Sequence, residues 1–278
     1  MLKPILKWVG GKRQLLSEIV PLIERLIPRG ATYVEPFVGG GAVLFSLRPS
    51  RALINDLNGE LINVYRTVRD DPDGLIERLI EHQRHHCEEY FYRIRALDRS
   101  EEYSSMPAVE RAARTIYLNK TCYNGLYRVN AAGQFNAPFG RYEHPSIVDE
   151  QSIRAVGEYF RSNDVTICNE DYRALIERLD GNFFVYFDPP YYPLSATASF
   201  TSYTDGGFDR ARQIELRDLC ERLRSRNIFF VESNSDCDEI RALYKDFSIR
   251  TVRALRTVNS AGDRRGAINE VLIYYGGD

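Results

Sequence analysis

The chain has 278 residues, 44% of them hydrophobic and 27% charged, with a net charge of −2. That suits one large globular domain with an insertion and excludes a globally basic nucleic-acid binder, so any basic footprint has to be local. Five scattered cysteines without a C-x-x-C pair, four histidines without metal spacing and the lack of a long apolar run argue against a disulfide framework, a metal site and a membrane span, and for a reducing, cytoplasmic setting.

In chain order, Gly10 and Gly11 precede Lys12 and Arg13, and an apolar-periodic run from Leu15 to Ile23 follows. This reads as a loop opening a helix, whose exposed N–H groups attract anions. The glycine spacing is wrong for a Walker A loop, and no Ser or Thr follows the lysine. Trp8 suits the core as well as a ligand. A short strand from Ala31 then leads through Glu35, Pro36 and Phe37 into Gly39, Gly40 and Gly41, ahead of an apolar segment from Ala42 to Leu47. Glycines after a first strand let the backbone approach a ligand. Leu44 breaks the dinucleotide G-x-G-x-x-G pattern, and a plain tight β–α turn would look the same. Arg51 to Ile54 reads as the second strand. Asp56 just beyond it suits two ribose hydroxyls, or a helix N-cap.

From Leu57 to Tyr142 the character changes to a mainly helical insertion. Leu57 to Arg69 and Pro72 to Ile80 have helical spacing, and Cys87 to Leu97 is aromatic and basic. Arg111 to Tyr142 holds five basic residues, Arg111, Arg114, Lys120, Arg128 and Arg141, and no acid. Tyr117, Tyr123, Tyr127, Phe135, Phe139 and Tyr142 are interleaved with them. Asn119, Asn124, Asn130, Asn136 and the glycines mark turns. A β-hairpin fits, with charge for phosphate, amides for base edges and rings for stacking. A glycine-rich surface hairpin is the plainer reading.

Val165 to Cys168 reads as a returning strand, followed by Asp171 and Tyr172 at the start of a helix that Asp171 can cap. Phe183 to Phe187 is apolar throughout, as in a strand buried on both faces. Pro189 and Pro190 end it at Asp188, which places a carboxylate at the carboxyl end of a central strand, where open α/β sheets bind ligands. Asp188 and the Pro189 carbonyl are two acceptors converging on one point, and Tyr191 is a ring beside them. That set suits an exocyclic NH2 group, whose lone pair two acceptors would free from the base ring. A strand-ending turn is the alternative. Ser195 to Gly207 reads as a flap, Asp209 to Arg224 as a capped amphipathic helix, and Ile228 to Val231 as a buried strand ending in the polar run Glu232 to Asp236. Arg250 to Arg265 reads as a basic loop, either on phosphate or merely solvated, and Ile268 to Tyr275 as an alternating strand.

Asp188-Pro189-Pro190-Tyr191 is similar to the catalytic motif of amino-directed, S-adenosylmethionine-dependent methyltransferases. The stretch from Pro193 to Thr201 resembles the Dam group of DNA adenine-N6 methyltransferases in particular. The segment around Trp8, Gly10 and Lys12 resembles the border of that family's S-adenosylmethionine pocket. The turn Glu35, Pro36, Phe37, Gly39, Gly41 resembles the one that holds the methionine part of the cofactor. Asp171 and Tyr172 match an acid–aromatic pair that meets the cofactor adenine, and Asp188 stands on the cofactor side as well as the substrate side. Asn119 to Tyr142 resembles the target-recognition hairpin. This implies Tyr123 as a wedging ring, Asn124 near the vacated space and Arg128 as the reader of a guanine. Leu126 and Pro138 would meet thymine methyls, and Arg141 would meet the DNA.

The resemblance covers nearly the whole chain, with its motifs in the order of the Dam group. It implies an α/β fold: a mostly parallel seven-stranded Rossmann-like methyltransferase sheet built from residues 1–56 and 145–278. A mainly helical target-recognition domain, residues 57–144, would be inserted and carry the β-hairpin. The expected function is transfer of methyl from S-adenosylmethionine to adenine N6 of a base flipped out of double-stranded DNA, within GATC. The enzyme would act as a monomer on DNA, without metal or membrane. The rival readings are an amino-methylating enzyme of RNA or protein glutamine, and a non-catalytic DNA-binding module. The sequence leaves open whether the enzyme is solitary, half of a restriction–modification pair or phage-borne.

Overall fold

The computed structural model describes residues 2–192, 208–255 and 267–277. The expected flap at 195–207, the Dam-like stretch at 193–201 and residues 256–265 of the basic segment lie outside the described residues.

The chain divides into two compact units. One comprises Met1–Gly11, Gly39–Ser50 and Asn55–Glu170. Its helices are α2 (Ala42–Leu47), α3 (Gly59–Asp70), α4 (Pro72–Arg84), α5 (Glu88–Ala96), α6 (Ala108–Thr121) and α7 (Glu150–Ser162). Local chemistry starts them: Asn58 caps α3, Asp71 with Pro72 behind it caps α4, and Asp149 caps α7, each by accepting an N–H of the first turn. Apolar stripes then bury Leu61, Val64 and Val68 of α3, Leu75 and Leu79 of α4, and Ile116 of α6. Gly157 lets α7 approach α3, because a Cβ there would stand 2.5 Å from the Val68 carbonyl oxygen. Helix α7 lies outside the expectations drawn from the sequence.

The other unit comprises Lys12–Val38, Arg51–Ile54 and Asp171–Asp278. It holds helices α1 (Leu16–Leu26), α8 (Tyr172–Glu177), α9 (Arg210–Ser225) and α10 (Asp238–Leu243). Its strands are β1 (Thr32–Glu35), β2 (Arg51–Asn55), β4 (Phe183–Phe187), β5 (Phe230–Ser235), β6 (Ser248–Leu255) and β7 (Ala267–Tyr275). With β3 (Asp164–Cys168) they form a seven-stranded sheet in the order β3-β2-β1-β4-β5-β7-β6. β1 pairs in parallel with β2 and β4, and β4 with β5. β7 runs antiparallel to both β5 and β6.

The sheet is therefore mixed, which corrects the expectation of a mostly parallel one. β6 and β7 follow each other in sequence and pair directly, so no crossover helix is needed to turn the chain. Two further expectations change with them. Residues 250–255 belong to β6 rather than to a loop. β7 does not alternate simply, because Val271, Leu272 and Ile273 are all buried in a strand flanked on both sides. β4 is buried at every position, as its apolar run requires.

Candidate active site

In the sheet-bearing unit, β4 delivers Asp188 to its carboxyl end, and Pro189 and Pro190 stop the ladder there. Lys12 Nζ lies 2.7 Å from Asp188 Oδ1 and 4.6 Å from the centre of the Tyr191 ring. Ser233 on β5 donates from Oγ to the same carboxylate oxygen at 3.3 Å, and Tyr186 and Ser233 hydroxyls lie 2.9 Å apart. A serine has one proton, so with Ser233 donating to Asp188 the Tyr186 hydroxyl donates to Ser233. Burial pushes the Asp188 carboxyl up, and the Lys12 charge opposes it. The Tyr191 hydroxyl donates to Glu270 Oε2 on β7 at 2.5 Å, which fixes the ring. Burial, with Asp188 and Glu270 close by, pushes that hydroxyl well above the ordinary tyrosine range.

The same unit holds the first part of the turn after β1. Glu35 is buried and accepts from the Tyr33 hydroxyl at 2.7 Å. Pro36 is buried beside it. Phe37 and Tyr172 place their ring centroids 4.9 Å apart. Asp171 caps α8 by accepting from the Arg173 N–H, and the Arg173 guanidinium holds both its oxygens at 2.8 Å. Three of its roughly four acceptor sites are thus taken. The hydrogen bond with Arg173 holds this carboxyl below the usual range.

In the helical unit, Gly39 and Gly41 adopt φ of 47° and 71°, which side chains rarely tolerate. Asp56 Oδ2 accepts from the Gly39 N–H at 3.0 Å and Oδ1 from the Asn58 N–H at 2.9 Å. The Tyr65 hydroxyl donates to the Gly39 carbonyl at 2.6 Å. Burial pushes the Asp56 carboxyl up to about 6, against the pull of these backbone N–H groups. Gly10 also has positive φ, at 77°. Trp8 stacks on Tyr127 at 5.0 Å, and a Cβ on Gly39 would stand 2.9 Å from the Trp8 ring.

The expected hairpin is present in reduced form. Cys122–Phe139 and Val129–Phe135 are isolated antiparallel bridges rather than a continuous ladder. The tip closes through Asn130, whose side-chain oxygen accepts from the Ala132 and Gln134 N–H groups. Tyr123 is 57% exposed, and Asn124 beside it has φ of 56°. Arg128, Pro138 and Arg141 are exposed and Leu126 is half-buried. Asn136 grips Arg128, accepting from Nε on its side chain at 2.6 Å and from Nη2 on its carbonyl at 3.0 Å.

Three residues of the expected basic, polar face are structural instead. Arg114, 3% exposed, pairs with Asp98 at 2.7 Å and donates to the Ile94 and Arg95 carbonyls. Arg111 pairs with Glu60. Asn119 is helical rather than a turn marker. It is fully buried and ties the Lys7 backbone and the Gly125 carbonyl together. Lys7, Glu60 and Asp98 lie well away in sequence from the residues they hold, so a local reading could not find these ties. Ser233 and Glu270 were also missed as site residues. The available signal for Ser233 was a polar run directly after a buried strand.

No helix among the described residues is long and apolar enough to cross a membrane. No group of three His, Cys, Asp or Glu side chains among them could hold a metal ion.

A carboxylate, a proline carbonyl and a fixed ring stand together at the carboxyl edge of an open α/β sheet, where such sheets bind ligands. Comparison with known proteins makes this specific. The profile of the D12 class N6 adenine-specific DNA methyltransferases matches residues 8–258, and the chain belongs to that family. A Type II methyltransferase, M1.LlaDCHI of Lactococcus lactis subsp. cremoris, is 45% identical over 98% of this chain and 95% of its own. Type II methyltransferase M.MjaIII of Methanocaldococcus jannaschii is 42% identical over 98% of each. The DNA adenine methylase of Escherichia coli K12 is 36% identical over 98% of this chain and 95% of its own. The chain is thus an adenine-specific DNA methyltransferase that needs a methyl donor and acts on DNA. Neither an RNA- or glutamine-directed enzyme nor a non-catalytic module is favoured.

Proposed function

We propose that the enzyme transfers methyl from S-adenosylmethionine to adenine N6 of a base flipped out of duplex DNA, within GATC. The observation that carries the reading is the Asp188 turn, with its carboxylate held between Lys12 and Ser233 and its Tyr191 ring held by Glu270. Asp188 and the Pro189 carbonyl accept from the two N6 hydrogens and leave the nitrogen lone pair exposed. Tyr191 stacks on the base, and the departing proton leaves through Asp188 or water. The set needs an extrahelical base, because N6 is paired inside a duplex.

The chemistry of the residues fits the cofactor. Phe37 and Tyr172 offer ring faces, and the buried Tyr172 hydroxyl has no hydrogen-bond partner among the described residues. Asp171 keeps one acceptor site for an adenine amino group, and Asp56 suits ribose hydroxyls. Glu35, Pro36, Gly39 and Gly41, with Trp8, Gly10 and Lys12, would hold the remainder. The cofactor supplies an electrophilic sulfonium methyl.

The exposed hairpin residues support reading by Arg128, bidentate to a guanine, with Tyr123 as wedge, Asn124 beside it, Leu126 and Pro138 against thymine methyls, and Arg141 on the backbone. Residues 57–144 form the recognition insert in this reading. The Type II names of two relatives favour a restriction–modification role, and the cytoplasm is the expected compartment.

Plasmid DNA from a methylation-deficient host expressing the protein tests the reading. It should resist an endonuclease that cuts only unmethylated GATC and be cut by one that needs methylated GATC. Unchanged digestion with both enzymes would overturn the assigned site.

A further inference from the structure

Asp188 and Tyr191 are accounted for above, but the backbone that carries them is held by side chains with no role so far. The polar end of β5 and one residue of α9 meet the turn on both sides of Tyr191. Gln213, 1% exposed, donates from Nε2 to the Pro190 carbonyl at 3.1 Å. Its Oε1 accepts from Asn234 Nδ2 at 2.9 Å. Asn234 Nδ2 also donates to Glu232 Oε1 at 3.0 Å, and Asn234 Oδ1 accepts from the Tyr192 N–H at 3.3 Å and the Ser235 N–H at 2.9 Å. Ser235 Oγ donates to the Tyr192 carbonyl at 2.8 Å. Each amide is thereby oriented: Gln213 has to present its NH2 to Pro190, and Asn234 its NH2 to Gln213.

We propose that Gln213, Asn234 and Ser235 are positioning residues that clamp residues 190 and 192, and so set the aim of the Asp188 carboxylate, the Pro189 carbonyl and the Tyr191 ring. The two prolines stiffen the turn but carry no N–H of their own. Anchorage therefore comes from side chains outside the turn: Gln213 and Ser235 donate to the Pro190 and Tyr192 carbonyls, and Asn234 accepts from the Tyr192 N–H. Burial favours the arrangement, since an unpaired amide there would be costly. A slip of about 1 Å at a reacting group can cost on the order of a hundredfold in rate, so loss of one anchor is expected to cost about tenfold. The proposal rests on the reading of Asp188 as the group that orients N6.

The test is steady-state methyl transfer to a DNA duplex by Gln213→Glu, Gln213→Met and Ser235→Ala, with Asp188→Ala alongside. In Gln213→Glu the introduced side chain, when deprotonated, cannot donate to Pro190. When protonated it donates through its OH and accepts through its C=O, as the amide does. The groups facing this position are Glu232 on β5 through Asn234, Arg210 on α9, and Asp238 and Glu239 on α10. Burial with Glu232 nearby should hold the introduced carboxyl above the ordinary range.

At pH 8.5 kcat of Gln213→Glu should be about tenfold below wild type, with KM for donor and DNA within about twofold. The ratio of Gln213→Glu to wild-type kcat should climb toward one as the pH falls to 5.5. Gln213→Met should stay about tenfold low throughout, and Ser235→Ala about threefold low. Wild-type kcat in all three variants, a flat pH ratio for Gln213→Glu, or a loss confined to KM or to thermal stability would overturn the proposal. If the Gln213 variants do not fold, kcat of Ser235→Ala decides it. An active Asp188→Ala would instead overturn the reading beneath it, whereas an inactive Asp188→Ala with three unimpaired variants would sink the clamp alone.

Discussion

Lys12 and Asp188 illustrate how a single pair sets a reactive state. Burial pushes the carboxyl pKa up, toward the protonated form that is a poorer acceptor for an amino group. The ammonium 2.7 Å away opposes that shift. Lys12→Met should therefore raise the Asp188 pKa further and move the acidic limb of the kcat–pH profile to higher pH. An unmoved limb would mean that another group sets it. At the hairpin, Arg128→Ala should relax discrimination at one guanine by about 1–3 kcal/mol, read from rates on single-base variants of the site. Asp188 to Tyr191 was legible in the sequence because two prolines after an apolar strand leave little structural freedom. The ties that hold this group, Ser233, Glu270 and Lys12, were not legible, because each comes from a separate element.

At the scale of elements, β5 is the informative case. Apolar patterning ends its buried part at Val231, yet Glu232, Ser233, Asn234 and Ser235 continue the strand and are all buried. Hydrophobic patterning cannot anticipate this, because these polar groups find partners on β4, on α9 and in the Asp188 turn as well as on one another. The arrangement has a stability consequence. Burial pushes the Glu232 carboxyl from its ordinary 4.5 up to about 7, with Asn234 pulling the other way. An acid raised in the folded state contributes stability that is fully present below its unfolded pKa and lost as pH rises through its folded one. Glu232→Gln removes the titration, so the variant should gain on wild type between pH 4.5 and 7 and level off above. The gap at pH 8 should be on the order of 3 kcal/mol. Urea unfolding at pH 4.5 and 8 measures it, and a gap that does not change with pH would contradict the assignment. Two helix starts were legible, since Asp171 and Asp209 each cap the helix the sequence assigned to them.

For the whole molecule, six of the seven strands followed from apolar runs punctuated by glycine and proline, while the seven-stranded α/β sheet as a whole came from the resemblance, carried by motifs in a fixed order. Strand direction did not follow, because β6 was masked by its arginines and read as a loop. A net charge of −2 gave no sign of a DNA enzyme, and Arg111 and Arg114, read from the sequence as part of a basic stretch, instead hold the helical unit together through Glu60 and Asp98. The central claim is that the Asp188 turn performs adenine methylation. It is tested most directly by labelled methyl transfer from S-adenosylmethionine to a GATC duplex, comparing wild type with Asp188→Ala and measuring cofactor binding on the same samples. The expected result is N6-methyladenine from wild type, none from the variant, and cofactor affinity within a few-fold. Turnover preserved in Asp188→Ala would contradict the account.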